Sequence, residues 1–171
     1  MAFDTGAVAN HFLELGERDG VPLSSMKLQK ILYYAHGWHL ALTGEPLLDD
    51  SIEAWQYGPV IPSIYHEFKQ FGSRPITSRY THGVWNDGDV AFVAPRLNEC
   101  EGNTERAIAI CDRVWQQFKD FTALQLSTMT HREGTPWFTV RNKPENVGRK
   151  GVDIHDSDIS GYFKAQMNRK S

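Results

Sequence analysis

Apolar residues recur at helical spacing through most of this chain, and turn-forming residues cut the pattern into short pieces. Val8, Phe12 and Leu15 share one stripe. Asp4 or Thr5 can cap the helix that carries them, and Gly16 is a natural stop before the charged turn Glu17-Arg18-Asp19-Gly20. Leu28, Ile31, Leu32, Ala35, His39 and Leu42 set a second helix behind Ser24 or Ser25. Tyr33, Tyr34 and Trp38 spread its apolar surface well beyond one stripe, which marks a central helix covered on several sides. Thr43-Gly44-Glu45-Pro46 ends it. Ile52 to Tyr57 alternates as a brief strand or extended passage. Gly58-Pro59 then turns the chain into a third helix, with Pro59 and Pro62 in its first turn. Ile61, Ile64, Tyr65, Phe68 and Phe71 form its buried face, and Gly72 closes it.

Between Ser73 and Gly102 the chain turns to Pro, Gly, Asn and charge. Val84-Trp85 and Val90-Ala91-Phe92-Val93 flank Asn86-Asp87-Gly88-Asp89, a strong hairpin signal. A long fourth helix starts at Asn103 or Thr104 and turns Ala107, Ile108, Cys111, Val114, Trp115 and Phe118 inward. Phe121-Thr122 marks a kink or a new start, with Leu124, Leu126 and Met129 in a further short helix. Asp156 or Ser157 caps a last helix whose Ile159, Tyr162 and Phe163 face the body. The expected fold is mainly α: one compact helical domain over 1–171 with a small antiparallel β element, a hairpin plus a short strand. Within it, 73–102 is a variable insertion carrying the hairpin and 164–171 a flexible tail. No repeat, low-complexity tract or linker argues for a second domain.

Composition narrows the function classes. A chain of 171 residues can bury a real core. A formal charge of −3 supplies no basic field for nucleic acid. Arg141, Lys143, Arg149 and Lys150, with Glu145 among them, read as a solvated loop. Cys100 and Cys111 lack the spacing and His companions of a zinc site and make no disulfide framework. No signal peptide is visible, and no apolar run approaches the ~20 residues of a membrane span. A cytoplasmic protein, without nucleic-acid partners or membrane insertion, is expected.

The histidines are the one route towards catalysis. His36 and His39 lie one turn apart, His66 falls in the third helix, and His131 stands near Glu133. Their convergence would make a metal or acid–base cluster, but the spacing is wrong for the zinc helix that needs two His at i and i+4. With no phosphate loop, nucleophile elbow or Cys–His signature, the sequence assigns no catalytic, cofactor-binding or metal-binding residue. Two groups instead suit contact with a protein partner. Trp55, Gln56, Tyr57 and Pro59 surround a constrained turn, and Trp55 and Tyr57 fit either exposed anchors or core plugs. His131, Arg132 and Trp137 form the other group: His131 can cap a helix end, and Trp137 after Pro136 can pack back on the body.

Three blocks, taken in order and spacing, carry a family likeness. They are Met26-Lys27-Leu28-Gln29-Lys30 running into Tyr33-Tyr34-Ala35, then Trp55-Gln56-Tyr57-Gly58-Pro59-Val60, then Thr130-His131 to Pro136-Trp137. The chain resembles the Panacea family, the SocA-like or GepA-like phage-associated proteins and antitoxins, from about Ala7 to Phe163. The resemblance implies a mainly helical antitoxin of a bacterial or prophage toxin–antitoxin pair that binds its cognate protein toxin, the product of an adjacent gene. In one branch it implies an adaptor delivering the toxin to an ATP-dependent protease. It carries over no catalytic residue and no cofactor. A histidine-based metal-dependent enzyme is the remaining alternative.

Overall fold

The computed structural model describes residues 1–169. Its axis is the second helix, α2 (Ser25–Thr43), capped by the Ser24 hydroxyl, which accepts the Lys27 amide, and closed by Gly44 at φ 76°. Around it pack α1 (Thr5–Asp19), α3 (Pro62–Phe68), α4 (Thr104–Phe118), α5 (Ala123–Thr130) and α7 (Asp156–Arg169). Only Trp38, Leu42 and Thr43 in the last turns, and Met26 in the first, lie outside its buried set. Leu28, Ile31, Leu32, Tyr33 and Ala35 are buried in it, and Phe163 of α7 meets the rings of Tyr33 and Tyr34 edge-on at 5.8 and 5.9 Å. A short α6 (Pro136–Arg141) sits against the sheet and α7, with Thr135 as N-cap and Pro136 in its first turn.

The mainly α fold with minor antiparallel β structure matches the expectation: about 55% helix, seven α-helices and two small sheets among the described residues. One sheet has the order β2-β1-β5, formed by β1 (Ile52–Trp55), β2 (Gly58–Val60) and β5 (Val152–Ile154). The other is the hairpin β3 (His82–Asn86) and β4 (Asp89–Val93), turning through Asp87 and Gly88 as its signal predicts.

Several local expectations change. Gly58-Pro59 does not open the third helix; it is a strand, with Ala54 opposite Pro59 and Trp55 opposite Gly58. Pro59 is tolerated because β2 is an edge strand and needs no outward donor. Gly16 does not stop α1, which continues through the expected charged turn to Asp19 and caps at Gly20 with φ 66°. A Cβ on Gly16 would lie 2.8 Å from the Val21 carbonyl oxygen, so this glycine lets the chain fold back closely. Tyr65, expected on the buried face of the third helix, is exposed. Of the segment expected as a tail, residues through Arg169 continue α7, and 170–171 lie outside the described residues.

Candidate functional site

The three blocks of the sequence meet at the β1–β2 turn, and they meet through its backbone. Four side chains from other elements hold four of its carbonyl groups. Trp137 Nε1 donates to Trp55 O at 2.6 Å, and His131 Nε2 faces Gln56 O at 3.3 Å. Ser127 Oγ donates to Tyr57 O at 3.1 Å, and Lys30 Nζ donates to Pro59 O at 3.1 Å. These side chains belong to α2, α5, α6 and the α5–α6 connection, so the turn is held from beneath by several elements. Held in this way, it has little conformational freedom left to lose on binding a partner.

Lys30 is the base of the arrangement. It is 1% exposed, and its neighbour Gln29 is 3% exposed and bonds both the amide and the carbonyl of Ile61 at 2.8 and 3.0 Å. Lys27, also buried, donates to Lys119 O. The polar letters of Lys27-Leu28-Gln29-Lys30 are therefore not a solvated face; each ties α2 to a distant stretch of backbone. Burial pushes the Lys30 amine down to about 7. The unfolded chain, with an ordinary lysine, binds more protons than the native state from about pH 7 to the lysine range near ~10, so native stability rises with pH in that window. Below it both states are protonated and the burial penalty is constant. Urea unfolding of the wild type should gain on Lys30→Met by on the order of 4 kcal/mol between pH 7 and 10. A flat difference would contradict an amine buried in this way.

Gly58 completes the fit. Its φ is 110°, and a Cβ there would stand 2.9 Å from Lys30 Nζ and 3.0 Å from Thr130 Oγ1. Gly58→Ala combines an unfavourable backbone region with a clash against buried polar atoms, and should cost about 2 kcal/mol or more in chemical unfolding. A neutral result would mean that Lys30 is free to move aside.

The candidate residues divide into supports and presented groups. Pro59 is buried in β2, and His131 and Trp137 are half-buried with ring centroids 4.0 Å apart. His131 Nδ1 also faces Ser127 O, the helix-end capping that its position suggested. Trp55 is half-buried, its Nε1 donating to Glu53 at 2.6 Å and its ring against Tyr65 at 4.9 Å. Gln56, Arg132 and Tyr57 are exposed, Tyr57 to 64%. Of the two aromatics left open between core and surface, Tyr57 is on the surface and Trp55 lies between. Next to Arg132 runs a groove of about 600 Å³ between the α5–α6 connection and α7, lined in part by Pro136, Tyr162, Gln166 and Arg169.

The blocks that meet here fall within a match to a known family. The family model described as "Antitoxin SocA-like, Panacea domain" matches residues 28–138, which hold Lys30, the β1–β2 turn, Ser127, His131 and Trp137. The chain belongs to the SocA-like Panacea family. It is also 32% identical over 164 residues to the protein named "Antitoxin SocA" of Caulobacter vibrioides (strain NA1000 / CB15N), covering 95% of this chain and 84% of that relative. No solved structure matches it significantly.

Away from the turn, His36 and His39 serve packing. His36 is buried, with Nε2 2.8 Å from Asp156 and Nδ1 accepting the Leu48 amide, which fixes the proton on Nε2. The hydrogen bond from His36 holds the Asp156 carboxyl below its usual range and pins the start of α7 to α2. His39 donates from Nδ1 to Glu45 O at 2.7 Å, and burial lowers its pKa. His66 is exposed beside Tyr65. His36, His39 and His131 are thus held by different partners, and no candidate metal-binding group forms among the described residues.

Proposed function

We propose that this protein is the antitoxin of a bacterial toxin–antitoxin pair and neutralises a protein toxin in the cytoplasm by binding it directly at the surface around Tyr57. The observation that carries the reading is the 32% identity to Antitoxin SocA across 95% of the chain. The clamped turn supports the direct mode: it offers Tyr57, Gln56 and the nearby Arg132 on a rigid base, and tyrosine and arginine on preorganised surfaces are the residues that dominate interface energies. Binding alone suffices for such a role, without a cofactor.

Growth measurements test it. Expression of the adjacent gene alone should arrest growth, and co-expression of this chain should restore it. Arrest that persists at full antitoxin expression, with both proteins folded, would overturn the reading.

A further inference from the structure

The β3–β4 hairpin, with no part in the clamped turn, leaves an apolar surface uncovered on both of its faces. Trp85 stands opposite Val90, and Phe92 stands opposite Gly83, which has no side chain to shield it. Trp85 is 73% exposed, Phe92 75% and Val90 47% on this face; Val84 and Val93 on the other are 45% and 49%. Two strands alone are marginal in water; among the described residues neither edge is paired, and neither strand carries a lysine or proline to blunt it.

Yet the hairpin is mounted firmly. Asn10, 2% exposed in α1, accepts the Tyr80 amide at 2.8 Å and donates to Tyr80 O and Pro95 O, both at 3.0 Å. One buried side chain therefore holds both ends of the excursion. His82 Nε2 lies 2.6 Å from Asp4, and the Tyr80 ring fills the notch at Gly6, where a Cβ would come within 2.2 Å of it. A clustered aromatic surface on an anchored base marks a contact site, whereas scattered exposed apolar residues would not.

We propose that this hairpin is a docking arm for a protein partner that presents an apolar pocket inside a basic rim. Charge decides the occupant. Residues 81–94 contain no Lys or Arg, while Asp87 and Asp89 sit at the tip beside Trp85 and Val90. A basic rim balances those carboxylates. A second copy of this chain would instead bring an equally acidic tip to the same interface. The inference rests on the proposed function only in taking that partner to be the toxin, and it adds a contact separate from Tyr57.

The test titrates the purified product of the adjacent gene into the full chain by calorimetry. The wild type is compared with Trp85→Ser/Phe92→Ser and with Asp87→Asn/Asp89→Asn. The first variant should bind at least ~30-fold more weakly with an unchanged melting temperature, since exposed side chains contribute little to the fold. The second leaves the apolar faces intact. It should weaken binding several-fold at low salt, and the difference should vanish near ~1 M salt, where charges are screened within a few ångströms. Unchanged affinity in both variants, with the wild type binding, overturns the arm and leaves the antitoxin reading standing. A dimer of this chain that the first variant abolishes makes a second copy the occupant and overturns the proposal. Failure of the wild type to bind overturns both readings.

Discussion

Phe163→Ala should lower the unfolding free energy by about 3–5 kcal/mol, a large part of the ~5–15 kcal/mol that holds an ordinary domain together. The ring is 1% exposed and joins α7 to the central helix, with Trp38 at 5.2 Å and Tyr162 at 5.3 Å completing the cage begun by Tyr33 and Tyr34. Gly37 makes room for it: a Cβ there would lie 2.2 Å from the Phe163 ring. Gly37→Ala should therefore destabilise by a comparable route, because a ring packed on every side cannot step back and α7 must move instead. Urea unfolding followed by circular dichroism measures both. A loss below about 1 kcal/mol for Phe163→Ala would mean that α7 is not a structural part of the domain.

Tyr57→Ala should do the opposite: leave the melting temperature within a degree or two and weaken capture of the adjacent gene's product by ~30-fold or more. The tyrosine contributes its carbonyl to the clamp and its side chain to solvent, so the substitution keeps the hydrogen bond from Ser127 and removes only the presented ring. Thermal melts and binding isotherms separate the effects. Loss of stability without loss of affinity would return Tyr57 to the core and move the contact surface elsewhere.

The central helix, the hairpin and, to within one residue, the starts of the second and fourth helices at Ser24 and Asn103 were legible because local patterns encode them. Strands β2 and β5 were not. Each is three residues long, and β5 pairs with β1 across about a hundred residues, so the pairing that defines it leaves no periodicity nearby. Lys27, Gln29 and Lys30 escaped notice as structural supports for a related reason. Polar residues on a helix ordinarily mark its solvent face, and these are buried because each reaches a backbone group. The signal that could have found them is a helix apolar over most of its circumference, which has no solvent face left for its polar letters. The candidate residues Trp55 to Pro59 and His131 to Trp137 were recognisable as blocks. Their meeting was not, since the bonds that join them end on carbonyl groups common to every residue type.

The most direct measurement is a calorimetric titration of the purified chain with the purified product of the adjacent gene, without protease or other cellular factors. Direct neutralisation requires a stoichiometric complex, with a dissociation constant of ~1 μM or tighter in the wild type and a markedly weaker one for Tyr57→Ala. No binding at tens of micromolar, or wild-type affinity retained by Tyr57→Ala, would contradict capture through the clamped turn.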